Sequence, residues 1–75
     1  MTKKSRLVDY PDHDIERVGC KVSWYRFKTK VDAMKASKAA KHNAGVLWSM
    51  GYDFGYQSPG YVTENEDGTY TVCIP

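Results

Sequence analysis

The chain has 75 residues, of which 41% are apolar and 27% are charged. A chain of this length forms one domain around one small core, and its ordinary globular composition excludes a multi-domain enzyme, a disordered chain and a collagen-like chain. The formal net charge of +2 conceals a separation of charge, because all eleven lysine and arginine residues lie between Lys3 and Lys41. Residues 43–75 hold four acidic side chains and no basic one.

Targeting segments and a disulfide framework are not expected. The five residues after Met1 are polar, and only Leu7 and Val8 follow before Asp9, which is too short an apolar stretch for a signal peptide. No stretch reaches the roughly 18–20 apolar residues of a membrane span. Two cysteines, Cys20 and Cys73, are too few for a disulfide framework. We therefore expect a cytoplasmic protein with two reduced thiols and no membrane partner; a bridge between the two cysteines is the alternative.

The first third of the chain predicts an arm followed by a strand. Residues 1–16 mix lysine, aspartate, proline and histidine without periodicity, which indicates a partly ordered N-terminal arm. A single domain is expected over residues 17–75. Within residues 17–28, β-branched and aromatic side chains alternate and predict a strand that places Tyr25 and Phe27 on the same face.

The next segment predicts a long amphipathic helix. Thr29 stands three residues before Asp32, as in a capping box, and its hydroxyl can accept a hydrogen bond from a free amide of the first turn. At 100° per residue one stripe is mostly alanine, which lets the helix approach a sheet closely. This stripe consists of Ala33, Ala36, Ala40, Ala44 and Leu47, and the opposite face carries Lys35, Lys38, Lys41 and His42. The helix ends at Ala44 or at Met50, and the continuing apolar spacing favours Met50.

The remainder of the chain predicts a loop and a hairpin. Residues 51–60, here named the aromatic loop, contain three glycines, a proline and three aromatic side chains. Residues 61–64 and 69–74 flank a polar, glycine-ended turn and are typical of a β-hairpin. The predicted fold is therefore α+β, with two layers in the order βαββ and one long helix on a three-stranded sheet. A right-handed crossover makes the first strand parallel to one strand of the hairpin.

The second face of such a sheet has no helix to cover it. We expect Tyr25, Phe27 and Cys73 on this open face, where they would form an exposed aromatic patch. Because a domain of this size is only marginally stable, the patch predicts a homodimer or larger homo-oligomer that associates through the open face or a sheet edge.

Catalytic and metal sites find little support in the sequence. His13 lies between two aspartates in the arm, and His42 lies on the lysine face of the helix, so neither has a nucleophile and an orienting partner nearby in sequence. The histidines and cysteines also lack the short spacings of metal ligands. We therefore expect a non-enzymatic protein without a metal or a cofactor.

The aromatic loop and the basic residues together form the candidate ligand site. Its rings either cover the end of the sheet as a small core or serve as a recognition platform. On the second interpretation, the protein sequesters an anionic ligand such as a nucleotide or signalling nucleotide, which stacks on the rings while cations bind its phosphate. The predicted ligand-binding residues are Arg26, Lys28, Lys38, Tyr52, Phe54 and Tyr56. A protein-interaction or inhibitor module without a small ligand is the first alternative, and single-stranded nucleic-acid binding is the second.

Overall fold

The computed structural model describes residues 6–75, which contain one α-helix packed on one antiparallel sheet of four strands. The elements in chain order are β1 (Asp14–Val18), β2 (Ser23–Phe27), α1 (Lys30–Ser49), β3 (Val62–Glu64) and β4 (Tyr70–Ile74). The strands lie in the order β1-β2-β4-β3. The predicted α+β architecture with a helix on a sheet is confirmed, as is the hairpin formed by β3 and β4.

The predicted three-stranded sheet and its βαββ order are wrong, because the single strand expected over residues 17–28 is a hairpin. The chain reverses between β1 and β2, where the Gly19 amide donates to the Val22 carbonyl at 2.8 Å. A Cβ atom on Gly19 would lie 2.6 Å from that carbonyl oxygen, so this turn needs glycine. In the sequence the apolar residues alternate through the turn as well, so the pattern alone does not reveal the reversal. In the structure Val18 pairs with Ser23 and therefore lies on the face opposite to Trp24. The observed order is ββαββ, and β1 begins at Asp14, inside the stretch assigned to the arm.

The two strands that α1 connects run in the same direction, but they are not neighbours. β4 lies between β2 and β3 and pairs with both of them in antiparallel orientation. The expected parallel relation of the helix-flanking strands is therefore present, while every hydrogen-bonded pair in the described sheet is antiparallel.

The helix has the predicted ends. The Thr29 hydroxyl accepts from the Asp32 amide at 3.2 Å, and Met50 caps the other end before Gly51, which has a φ of +97°. The longer of the two predicted helices is therefore correct. Three alanines of the predicted stripe are fully buried against the sheet, where they meet Phe27, Val72 and Ile74; these alanines are Ala33, Ala36 and Ala40.

Two of the three residues expected on the open face of the sheet lie on the face that the helix covers. Phe27 is fully buried beneath α1, and Tyr25 packs against the same core cluster, so the predicted exposure of these two rings is wrong. Alternation divides a strand into two faces but does not tell which face the helix covers. Cys73 does lie on the face away from α1, opposite Trp24 in the register, yet it is buried because Val22 and Phe54 pack on it.

The described part of the arm folds back onto the helix. The side-chain amide of Asn43 binds the main chain of Val8 at two points, accepting from its N–H at 2.7 Å and donating to its C=O at 3.0 Å. The same amide donates to the Tyr10 hydroxyl at 2.7 Å. Further along, the His13 ring stacks on Tyr25 with centroids 4.2 Å apart. The arm is thus ordered from Arg6 onward, and its residues 1–5 lie outside the described residues.

We predict that Asn43→Ala destabilises the protein by about 1–3 kcal/mol, because the arm loses three hydrogen bonds to this buried side chain at once. Urea denaturation would measure the loss, and hydrogen exchange at the Val8 amide would show the arm detaching. His42→Ala is the matched control, since His42 also contacts the arm, through the Arg6 carbonyl, but does so at an exposed position. A loss of the same size in both variants would contradict a specific role for the Asn43 amide.

Candidate functional site

The structure distributes the six predicted ligand residues over four places. Arg26 and Lys28 line a groove where α1 begins, whereas Tyr52 and Phe54 line another where α1 ends. The 20 residues of the helix separate these ends by about 30 Å. Lys38 is exposed midway along the helix, and Tyr56 projects fully into solvent. One chain therefore does not gather the six into a single pocket.

The groove at the start of α1 is unsuited to an anion. It has a volume of about 230 Å³, and three carboxylates line it beside Arg26 and Lys28. Arg26 is moreover engaged by Glu16, with a nitrogen to oxygen distance of 3.2 Å. The β3–β4 turn adds acidic groups at this end of the sheet. We name this region the acidic end; its carboxylates are Asp12, Asp14, Asp32, Glu64, Glu66 and Asp67.

The aromatic loop is tied to the rest of the fold at two positions. Phe54 is only 8% exposed and packs with Val22 and Cys73. At the end of the loop, the Gly60 amide donates to the Cys73 carbonyl at 2.7 Å, and the Gly60 carbonyl accepts from the Ser37 hydroxyl at 2.5 Å. The loop therefore combines the two predicted interpretations, because Phe54 belongs to a small core while other rings stay exposed.

Gly60 brings the end of the loop unusually close to the helix. Its φ of +93° is one that residues with a Cβ atom rarely adopt, and such an atom would lie 2.7 Å from Cγ of Lys41. The Lys41 stem therefore lies directly against this glycine. Glycine at position 60 sets both the path of the loop and the place of a lysine next to it.

A groove of about 330 Å³ runs between the end of α1 and the aromatic loop. Trp48 forms one side of it and is 66% exposed. Gly45, one turn earlier, also lines the groove, and a Cβ atom there would meet no atom of residues 6–75 within 4 Å outside its own helix. The loop contributes the other side, which includes Asp53, Phe54, Gln57 and Pro59. We name this the Trp48 groove.

Two lysines continue the helical stripe on which Trp48 lies. Residues 38, 41, 45 and 48 are spaced by three or four positions and are therefore neighbours along one side of α1. Lys41 and Lys38 precede Trp48 by about 10 Å and about 15 Å along the helix axis. The one ion pair in the described residues joins Arg26 and Glu16. Within those residues, Lys38 and Lys41 therefore form no salt bridge with a carboxylate.

The ligand residues predicted from the sequence include Lys38 and Phe54 but not Trp48 or its neighbours on the helical stripe, Gly45 and Lys41. The three-four spacing that relates both of them to Trp48 is present in the sequence and could have been used. What the sequence could not supply was the position of the aromatic loop, which depends on the contacts of Gly60 with Ser37 and Cys73.

The remaining polar and titratable groups serve the fold. His13 donates from Nδ1 to the Pro11 carbonyl at 2.7 Å. Burial raises the pKa of Tyr10, and its hydrogen bond with Asn43 offsets part of that rise. Burial likewise raises the pKa of the Cys73 thiol, while Cys20 is exposed, and both are free thiols. In residues 6–75 no three histidine, cysteine or carboxylate side chains gather as a metal site.

A groove of about 570 Å³ lies between the arm and α1. Its lining includes Asn43, whose amide makes three hydrogen bonds to Val8 and Tyr10, together with Asp9 and His13. This groove is the seam along which the arm is attached, and its one buried polar side chain, Asn43, is engaged by the chain itself.

Comparisons with known proteins add no relative. The chain matches no protein-family model, and neither the curated proteins nor the solved structures searched contain a similar protein. Within the described residues α1 is the one helix, and it is not apolar enough to cross a membrane.

We predict that Gly45→Ala stabilises the protein by about 0.5–1 kcal/mol in the absence of any ligand, because alanine favours a helix interior and its methyl group meets no clash. Urea denaturation would measure the change. Gly51→Ala is the matched control and should destabilise, since Gly51 has a positive φ. A loss of stability in Gly45→Ala would contradict the open surroundings of Gly45.

Proposed function

We propose that this protein is a non-enzymatic binding protein that sequesters a nucleotide in the Trp48 groove. In this proposal the base stacks on Trp48 and the phosphates lie against Lys41 and Lys38. The observation that carries it is an exposed tryptophan beside an unobstructed Gly45, on a helical stripe that continues into two unpaired lysines of the described chain.

The groove offers suitable chemistry for a base and a ribose. Stacking of a base on an aromatic side chain contributes about 1–3 kcal/mol and accepts any base. Gly45 leaves room for a planar ring next to Trp48, and the Gln57 amide supplies both a donor and an acceptor to a base edge. Asp53 can accept from a ribose hydroxyl through its second carboxylate oxygen, since Oδ1 accepts from the Gly55 amide at 2.9 Å.

The electrostatics favour a nucleotide that carries more than one phosphate. The negative end of the helix dipole lies beyond Ser49, and its effect is confined to about the last turn. Lys41 and Lys38 lie about 10–15 Å before Trp48 along the helix, outside that region. A phosphate chain can span part of this distance and lysine side chains the rest, so a nucleoside diphosphate or triphosphate fits better than a monophosphate.

This proposal changes the residues but keeps the ligand class inferred from the sequence. Lys38 and Phe54 are retained, the latter as a wall of the groove, whereas Tyr52 and Tyr56 give way to Trp48 for stacking. Arg26 and Lys28 are replaced by Lys41, since they belong to the acidic end. The protein would act in the cytoplasm, where nucleotides occur and its two thiols stay reduced.

Isothermal titration with ATP, AMP, adenosine and inorganic triphosphate tests the proposal. We expect ATP to bind more tightly than AMP or triphosphate alone, because it makes both kinds of contact. Trp48→Ala should weaken ATP binding about tenfold to a hundredfold, in line with the loss of one stacked base. Trp48→Phe should restore most of the affinity.

The matched pair Lys41→Ala and Lys35→Ala tests the phosphate contact. Both lysines are exposed on α1, but only Lys41 lies on the stripe of Trp48. Lys41→Ala should weaken ATP binding about tenfold while leaving adenosine binding unchanged, and Lys35→Ala should change neither. Absence of heat with all four compounds, or equal binding by Trp48→Ala, would refute a nucleotide site in this groove.

A protein-docking module is the second candidate function. Met50 and Tyr52 are more than half exposed and Tyr56 is fully exposed, and such side chains are enriched at protein interfaces. This candidate would gain support if no nucleotide binds and a single partner protein, retained after nuclease treatment, is lost on Tyr52→Ala but not on Trp48→Ala. Retention of an oligonucleotide with a steep salt dependence would favour single-stranded nucleic-acid binding instead.

A further inference from the structure

A second groove of about 430 Å³ lies on the other side of the aromatic loop, against the β1–β2 turn. Two of its side chains are large, apolar and open to solvent, since Met50 is 67% exposed and Tyr52 is 56% exposed. The same groove is lined by one lysine and one aspartate. We name this surface the end patch; its residues are Cys20, Lys21, Met50, Tyr52 and Asp53.

The end patch differs in its charge from two other exposed surfaces, the outer face of α1 and the acidic end. Two copies related by a two-fold axis bring the same surface of each chain together, so that surface must complement itself. The outer face of α1 carries Lys35, Lys38 and Lys41, and the acidic end carries six carboxylates, so each of these surfaces repels its own copy. The end patch holds one charge of each sign and is free of this repulsion.

The core of a single chain also gives reason to expect a partner. In residues 6–75 the two largest fully buried side chains are Phe27 and Val72, and three of the nine buried apolar residues are alanines. Both cysteines are free thiols, and residues 6–75 contain no cluster of side chains that could hold a metal. Small domains that lack disulfides and metals commonly gain stability by association.

We infer that two copies of this chain associate through the end patch, with Met50 and Tyr52 of each entering the groove of the other. Lys21 of one protomer then faces the partner's Asp53, and the two-fold axis repeats this pair. The inference goes beyond the proposed function. The end patch and the Trp48 groove share Asp53 and Phe54, so the two claims are tested separately through Lys21 and Tyr52, which line only the end patch, and Trp48, which lines only the Trp48 groove.

Charge reversal combined with sedimentation velocity tests this arrangement. The wild-type protein should sediment at about 17 kDa, twice the 8.5 kDa of one chain. Lys21→Asp gives a patch with two acidic groups and Asp53→Lys gives one with two lysines, so each variant alone should sediment near 8.5 kDa. An equimolar mixture of the two variants should return to about 17 kDa, because each patch now complements the other.

The mixture also distinguishes loss of the Lys21–Asp53 pair from damage to the aromatic loop. Asp53→Lys removes the acceptor of the Gly55 amide, and a loop disordered for that reason would not be rescued by Lys21→Asp. Tyr52→Ala should also yield a monomer, whereas Tyr61→Ala should not, although Tyr61 is 66% exposed. A monomeric wild type, a dimer that persists in both reversal variants, or a mixture that stays monomeric would each overturn the inference.

Discussion

The close contact between the alanine stripe of α1 and the sheet is the constraint on which the rest of the structure depends. Ala33, Ala36 and Ala40 are fully buried, and their short side chains bring the helix backbone near Phe27 and Val72. Polar residues on the two flanks of the stripe then reach the irregular segments on either side. Asn43 binds the arm, and Ser37 binds Gly60 at the end of the aromatic loop. Larger residues in the stripe would move the helix away from the sheet and break the hydrogen bonds of Asn43 and Ser37.

Charge is separated in space, but along a different division from that in the sequence, because Asp12, Asp14 and Asp32 of the lysine-rich part belong to the acidic end. The helix carries its lysines on the side away from the sheet, while the carboxylates from three distant parts of the chain meet at the acidic end. The other end of the molecule, where α1 stops, has Lys21 and Asp53 as its charged groups in the end patch. The surfaces proposed for a nucleotide and for a second copy are both at this less charged end, on either side of one loop anchored by Phe54.

Local signals in the sequence were sufficient for the helix and the second hairpin. The capping residue Thr29, the alanine spacing and Gly51 together predicted both ends of α1, because a helix is specified by neighbouring residues. The hairpin of β3 and β4 was predictable for the same reason, since its turn ends in Gly68, which has a positive φ. The hairpin of β1 and β2 was not predictable, because the apolar residues of the sequence alternate through its turn as well.

The candidate site depends on contacts between residues far apart in sequence, and those contacts were not predictable. The sequence does not indicate which face of β2 packs under α1. In the structure that face carries Phe27, and Arg26 lies on the other face. The aromatic loop is held through Ser37 and Cys73, which precede and follow it by more than ten residues. The contact of Lys41 with Gly60, at the end of the loop, is not visible in the sequence, although the spacing of Lys41 from Trp48 is.

The central claim is that the Trp48 groove, and not the cationic residues near the start of α1, receives the ligand. Amide and indole chemical shifts of the isotopically labelled protein, followed during titration with ATP, test it most directly. The account predicts progressive shifts at Gly45, the Trp48 indole N–H and Gln57, with Arg26 and Lys28 unchanged. Shifts centred on Arg26 and Lys28, or a spectrum that ATP leaves unaltered, would contradict it.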